Sequence, residues 1–255
     1  MLTYFGKSDI GKKRSNNQDT FDITEFSCGA VLAVVCDGMG GARGGKEAAS
    51  IAVSTFVSKI KGKMSDIDKD GSMSVTGADI VRMMSAAAAS ANAEVYKKAK
   101  SNEELSGMGT TLAAALIYDG FIYVANIGDS RIYVCEGERI EQITHDHSYV
   151  QYLVDMGIMS REDARNAPNK NIITRAVGIE KTVEADISTV SMPKSRDSAI
   201  LLCSDGLSGP LDENEIHAII SRGGDPGVLI DELINAANEK SGSDNITAVL
   251  VKPKA

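Results

Sequence analysis

Four aspartates stand at the edges of short apolar runs, each beside a glycine or a serine. Residues 31–36 (VLAVVC) run into Asp37-Gly38-Met39-Gly40-Gly41, and residues 123–127 lead into Gly128-Asp129-Ser130-Arg131. Residues 199–203 (AILLC) end in Ser204-Asp205-Gly206, while Ser243-Asp244-Asn245 opens the run 246–251. A carboxylate at the end of a buried strand is poorly explained by packing. If folding gathers these ends, the acids repel: at about 4 Å and an effective dielectric of about 20, each pair costs roughly 4 kcal/mol. A positive partner must offset that, and hard cations such as Mg²⁺ and Mn²⁺ take oxygen ligands.

The elements that must carry these acids follow from the pattern around them. The runs are short and rich in Val, Ile and Leu, which reads as buried strand. Further strands are predicted over 2–8, 20–26, 111–118, 121–127 and 131–136, with Asp119-Gly120 and Glu136-Gly137 as hairpin turns. Ala48, Ala52, Phe56 and Ile60 recur at helical spacing and predict a helix over 47–60. A polar loop is expected over 62–77. Thr76 and Asp79 form a capping-box signature for a second helix ending near Lys100, with Met83 and Met84 on its apolar stripe as core residues. Asp212-x-x-Glu215 and Asp225-Pro226 start two more helices, the second closed by Gly242. Helices come in pairs and do not alternate with strands, which argues for layered α+β and against a doubly wound parallel sheet. No repeat or Pro/Ser-rich linker divides the chain, so one domain over 1–255 is expected, with a polar, helix-capable insert at about 149–174.

Bulk properties narrow the function. The chain has 255 residues, 43% of them hydrophobic and 24% charged, ordinary values for a globular protein. A net charge of −8 without a basic block makes nucleic acid an unsuitable partner. No apolar run is long enough to span a bilayer, and the first residues lack a signal-peptide pattern. Cys28, Cys36, Cys135 and Cys203 form no C-x-x-C pair, and most lie in apolar runs, which suits packing in a reducing compartment. A cytoplasmic monomer is expected.

Read in order, Arg14-x-x-Asn17-Gln18-Asp19, Asp37-Gly38-Met39-Gly40-Gly41, Gly107-Met108-Gly109-Thr110-Thr111, Gly128-Asp129-Ser130-Arg131, Ser204-Asp205-Gly206 and Asp244-Asn245-Ile246-Thr247 resemble the motifs of the metal-dependent serine/threonine protein phosphatases, the PPM or type 2C family, in its bacterial form. The likeness spans nearly the whole chain. It implies a four-layer α-β-β-α sandwich: two central antiparallel sheets with a helix pair on each outer face. It also implies a site at one end of that sandwich, with two core Mn²⁺ or Mg²⁺ ions. By the resemblance Asp37 bridges the two ions, Gly38 offers its carbonyl, Asp205 and Asp244 complete one ion's protein ligands, and Asp129 helps hold a third, weaker ion. Asp19 holds metal-bound water, Arg14 grips the substrate phosphate, and Gln18 and Thr110 are supporting residues. The implied activity is hydrolysis of phosphoserine and phosphothreonine in proteins by an activated water, reversing a cognate bacterial Ser/Thr kinase. Two alternatives stand beside it: a phosphatase of a small anti-sigma-antagonist protein, and an inactive relative serving as a binding module. Some eukaryotic members carry a proposed acid, His, after the Asp-Gly pair; Met39 here cannot donate a proton. Gln18 replaces a Glu of some relatives.

Other suggestive residues have plainer readings. His145-Asp146-His147 sits in a Thr-x-Asp-His-Ser segment and is read as structural, shaping the base of the insert; His217 is read as a helix-surface residue. Asp66-Ile67-Asp68-Lys69-Asp70-Gly71 starts like a calcium-binding loop, but the twelfth position is Gly77 where a bidentate Glu is needed. A solvated loop is expected there. The insert is expected to act as a flap that influences the choice of protein substrate.

Overall fold

In the computed structural model, which describes residues 1–69, 75–193, 195 and 197–254, the chain order is β1 (Leu2–Asp9), β2 (Thr20–Glu25), β3 (Val31–Cys36), β4 (Gly38–Met39), α1 (Gly41–Lys69), α2 (Gly77–Ser101), β5 (Gly109–Thr110), β6 (Leu112–Tyr118), β7 (Phe121–Ile127), β8 (Arg131–Glu136), β9 (Arg139–Gln142), α3 (Tyr149–Asp155), α4 (Arg161–Asn166), β10 (Asp186–Ser191), β11 (Ala199–Cys203), α5 (Asp205–Ser208), α6 (Glu213–Ile220), α7 (Pro226–Lys240) and β12 (Ile246–Pro253). Two five-stranded antiparallel sheets result, ordered β1-β12-β11-β8-β9 and β10-β7-β6-β3-β2.

The apolar runs are continuous because both faces of each central strand are covered. On β3, Val31, Ala33 and Val35 pack between the sheets with Ala113, Val124, Ile200 and Val249. Leu32, Val34 and Cys36 point outward to Phe56, Ile60 and Met84 of α1 and α2. On the other side, Leu201, Cys203 and Leu250 meet Ile216, Leu229 and Leu233 of α6 and α7. These are the four layers expected from the motifs. Asp119 and Gly120 both have positive φ, as a two-residue turn of this hairpin type requires. Thr76 closes its capping box with Asp79, and Gly242, at φ +55, ends α7.

The register brings the strand ends together. Cys36 pairs with Thr20, Leu112 with Ile127, Arg131 with Cys203, Cys203 with Ala248, and Asp9 with Ile246. In antiparallel pairs the end of one strand lies beside the start of the next, so the segments carrying Asp19, Asp37, Asp129, Asp205 and Asp244 all emerge at one end of the sandwich.

Two expectations need correction, and two edge strands were missed. The first helix is longer than 47–60 at both ends. Its first turn is the glycine-rich stretch, which lets it approach β4: a Cβ on Gly38 would lie 2.1 Å from the Gly45 carbonyl oxygen. At the other end the helix continues past Gly62 to Lys69, because Met64 is fully buried and extends the apolar stripe by a turn. That gain offsets the roughly 1 kcal/mol cost of a helical glycine, so the loop expected over 62–77 is helical through Lys69. Of the calcium-loop-like stretch, residues 70 and 71 lie outside the described residues. The edge strands β9 and β10 lacked a sequence signal because they are short or polar and largely exposed. Cys36, Cys135 and Cys203 are buried and Cys28 is exposed, all of them free thiols. Among the described residues no helix is long and apolar enough to cross a membrane.

Phe56 is fully buried at the centre of the contact between α1 and its sheet. Phe56→Ala is expected to destabilise the fold by about 3–5 kcal/mol, read as a lower denaturation midpoint with an unchanged denaturant slope.

Candidate active site

Asp37 leaves β3 with its backbone fixed on both sides. Its N–H donates to Thr111 Oγ1 (2.8 Å), and its carbonyl accepts from the Thr111 N–H (2.9 Å) and Thr110 Oγ1 (2.8 Å). Thr110, fully buried, therefore supports Asp37 from below. Asp205 begins the short helix α5, where an acid in the first turn is favoured. The helix itself runs so close to the residue before β12 that a Cβ on Gly206 would lie 1.9 Å from the Asn245 carbonyl oxygen.

Asp19 is the most enclosed acid, 1% exposed. Its Oδ2 accepts from Ser204 Oγ (2.8 Å) and Thr247 Oγ1 (2.6 Å), whereas its buried Oδ1 has no partner. Asn245 holds the loop that carries Asp19. Its Oδ1 accepts from the Gln18 N–H (2.8 Å), and its Nδ2 donates to the carbonyls of Ile10 (2.9 Å) and Asn16 (3.0 Å). Gln18 donates to the Gly41 carbonyl. Exposed Arg14 reaches over the rim to Asp244, Nη2 to Oδ2 at 2.7 Å. The cleft so formed has a volume of about 470 Å³, and Arg14, Asp37, Gly38, Asp129, Asp205 and Asp244 line it. Asn171 and Ile173 of the insert border it. A larger cleft of about 870 Å³ under the insert shares Asp129, Asn171, Asp205 and Asp244.

All nine residues singled out in the sequence thus meet in or beneath one cleft. The role of Asn245, and of the hydroxyls of Ser204 and Thr247, was not assigned; their only signal was their place inside the motifs. No histidine lines the smaller cleft, although His145 borders the larger one. His145 pairs with Asp155 at the surface, His147 is buried against Gly128 and Asp186, and half-buried His217 bonds the Gly137 carbonyl.

The acids strain against one another. Burial raises the Asp19 carboxyl from 3.8 to about 6, partly relieved by the bonds from Thr247 and Ser204. Burial raises Asp37 well above the usual range, followed by the negative fields of Asp19, Asp205, Asp129 and Asp244. Asp129 and Asp205 are raised in the same way, by burial and then by Asp205 and Asp244 respectively. An orphaned buried carboxylate oxygen, crowded acids and an all-oxygen donor set fit hard divalent ions. Among the described residues no group of three or more His, Cys, Asp or Glu side chains is spaced to hold a metal ion by itself.

Comparison with known proteins gives the same picture. A sequence family described as protein phosphatase 2C matches residues 6–250. The chain is 36% identical over 246 residues to the serine/threonine phosphatase stp of Listeria monocytogenes, covering 96% of this chain and 94% of that protein. The structure superposes on serine/threonine phosphatase Stp1 from Staphylococcus aureus with a TM-score of 0.89 at 31% identity, over 100% of this chain and 96% of that one. It also superposes on the catalytic domain of the serine/threonine protein phosphatase PstP in complex with two manganese ions, with a TM-score of 0.81 at 29% identity, over 98% and 97% of the two chains.

Because the folded acids hold protons more tightly than unfolded aspartates, between about pH 4 and pH 6 the folded chain binds more protons than the unfolded one. Their contribution to stability is therefore present at low pH and is lost as pH rises through the raised folded values. In EDTA, Asp37→Asn is expected to raise the melting temperature at about pH 7.5 and to change it little at about pH 4. A melting temperature lowered equally at both would contradict the crowding of these acids.

Proposed function

The chain belongs to the protein phosphatase 2C family and is a protein serine/threonine phosphatase, and we propose that its substrates are phosphoserine and phosphothreonine side chains of proteins modified by a bacterial Ser/Thr kinase. The observation that carries the reading is the convergence of Asp19, Asp37, Asp205 and Asp244 with Arg14 around one cleft. The unpaired Asp19 Oδ1 and the crowded neighbouring acids call for a cationic partner.

In this proposal Asp37, the Gly38 carbonyl, Asp205 and Asp244 hold two Mn²⁺ or Mg²⁺ ions, and Asp129 contributes to a third, weaker one. The relative PstP crystallised with two manganese ions supports the pair. When bound, such ions make water a competent nucleophile at neutral pH and neutralise charge on the phosphoryl oxygens. The remaining work belongs to the chain. Asp19 Oδ1, buried beneath the cleft and without a protein donor, would accept a hydrogen bond from a water bound there. Ser204 and Thr247 fix the other oxygen and so set its direction. Arg14 can bind two phosphate oxygens with its planar fork. Gly38 leaves room above Gly45, where any side chain would collide with backbone. Water adds to phosphorus, the serine or threonine oxygen leaves, and the net transfer of a proton from water to that oxygen yields inorganic phosphate and the free hydroxyl. Met39 can take no part in that proton transfer. Residues 149–174, which border both clefts through Asn171, form the flap over the substrate chain within a single catalytic domain.

The test is phosphate release from phosphothreonine peptides with Mn²⁺, abolished by EDTA. Asp37→Ala is expected to keep the fold and lose more than nine-tenths of turnover, since a carboxylate serving both ions is gone. Arg14→Ala should raise KM and lower kcat while metal affinity changes far less than in Asp37→Ala. An equal loss of metal affinity in both would make Arg14 an organiser of the acid cluster. Asp129→Ala is expected to retain two tightly bound ions and to lose more than about tenfold in turnover on a phosphothreonine peptide, with a smaller loss on an aryl phosphate, whose leaving group needs little protonation. Equal losses on the two substrates would remove Asp129 from leaving-group assistance.

A further inference from the structure

Asp129 sits in a turn whose own side chains hold it on one side only, where the Ser130 hydroxyl lies 2.7 Å from Thr111 Oγ1. Gly128 before it has φ +101, and a Cβ there would lie 2.6 Å from Thr111 Cγ2. Only glycine suits that conformation and that space, and glycine brings no side chain to anchor the turn. The direction of the next residue then depends on what the Gly128 amide and carbonyl bond.

Both bond His147. The Gly128 N–H donates to His147 Nδ1 (3.0 Å), and the His147 N–H donates to the Gly128 carbonyl (2.9 Å). Since Nδ1 accepts, it carries no proton. The proton is on Nε2, which donates to Asp186 Oδ2 at 3.0 Å. Asp186 is held in turn by Arg175. The ring, 6% exposed, is therefore a neutral imidazole in one tautomer, with a donor at one end and an acceptor at the other.

The same short segment grips the rest of the turn. Arg131 donates to both oxygens of Asp146, from Nε (2.9 and 3.1 Å) and Nη2 (2.7 Å), and the Ile132 N–H donates to Thr144 Oγ1 (3.1 Å). It also closes the insert. The Thr174 N–H donates to the His147 carbonyl (2.8 Å), the Tyr149 N–H donates to the Ile172 carbonyl (2.8 Å), and Ser148 pairs with Ile173 in an isolated antiparallel bridge. One residue thus touches the Asp129 turn, the end of the insert and, through Asp186, the edge strand β10.

We propose that His147 is a positioning residue for Asp129: by holding both polar groups of Gly128 it sets the direction of the Asp129 carboxylate and ties it to the base of the insert, so that turn and insert act as one unit. This rests on the role proposed above for Asp129. It goes further by placing the control of that carboxylate on a histidine that touches neither substrate nor ion.

Two substitutions at His147, a double variant with Asp129→Ala and a pair at Asp186 test it. Glutamine reproduces the ring's bonding, since Oε1 can accept from Gly128 and Nε2 can donate to Asp186; leucine fills the space and does neither. In EDTA, where no ion contributes, hydrogen exchange at the Gly128 amide is expected to accelerate at least tenfold in His147→Leu and to stay near the wild-type rate in His147→Gln. In Mn²⁺, His147→Leu should lower kcat on a phosphothreonine peptide by about tenfold with a smaller loss on an aryl phosphate, and His147→Gln should stay within about threefold of wild type. Combined with Asp129→Ala, His147→Leu should add less than about a further twofold loss, because residues acting through one another are not additive. Should His147→Leu fail to fold, Asp186→Ala, at a half-exposed position, frees the tautomer and should move kcat the same way, with Asp186→Asn restoring it.

The proposal is overturned if His147→Gln is as impaired as His147→Leu, or if the losses multiply in the double variant. If Asp129→Ala is itself fully active, the role of Asp129 fails; the Gly128 exchange rate then still decides whether His147 holds the turn.

Discussion

The constraint on which the rest of this structure depends is the repulsion among crowded carboxylates, one buried and the others half-buried. Asp19, Asp37, Asp129 and Asp205 are each pushed toward their protonated forms by burial and by one another. A fold that merely sought stability would separate them. Here the surrounding chain is arranged to hold them together. Hydroxyls of Ser204 and Thr247 satisfy one oxygen of Asp19, and Thr110 and Thr111 fix the Asp37 backbone. None of these neutralises the cluster. They lower its cost enough for the fold to persist and leave the balance to a cation.

Antiparallel pairing is what makes such a cluster buildable. Each hairpin returns the chain to the same end of its sheet, so five acids separated by up to 225 residues of sequence meet without any long-range device beyond register. The tight approaches at Gly38, Gly128 and Gly206 are the local counterpart. At each, a Cβ would lie well inside contact distance of a neighbour, backbone at Gly38 and Gly206 and the Thr111 side chain at Gly128. Glycine beside aspartate therefore reflects two demands at once: backbone must come close, and the adjacent carboxylate must face the cleft.

Much of this was readable from residues whose constraints are local or recur in a set order. Buried strands declare themselves by unbroken apolar runs, and the caps at Thr76, Asp212 and Asp225 fix helix starts by a few atoms of side chain. The grouping of the acids followed from their place at strand ends and from the order of the motifs. The edge strands were not legible, because β10 is polar and exposed and is defined by pairing with β7 alone. Nor was the length of α1, where Gly62 signals a break that the burial of Met64 overrides. The bonding of Asn245 and His147 was equally hidden. A buried Asn or His shows its type in the sequence but not which amide it will meet, and those partners lie 227 and 19 residues away.

Asp244 shows how closely binding and positioning are combined. Its Oδ1 accepts the N–H of Asn245 and its Oδ2 accepts from Arg14. A carboxylate has about four acceptor directions, so these bonds leave capacity for a cation. In the proposed reaction the same side chain would then face an ion on one side and orient the phosphate-gripping guanidinium on the other. The pairing also explains how an Arg in an exposed loop can be aimed without burial: the loop is pinned by Asn245, and the guanidinium by the acid one residue earlier in the chain. Two successive residues just before β12 thus fix both the backbone and the side-chain end of the phosphate clamp. The spacing between clamp and acid cluster then follows from the register of β12 against β1 and β11, which makes it a property of the sheet and not of the loop.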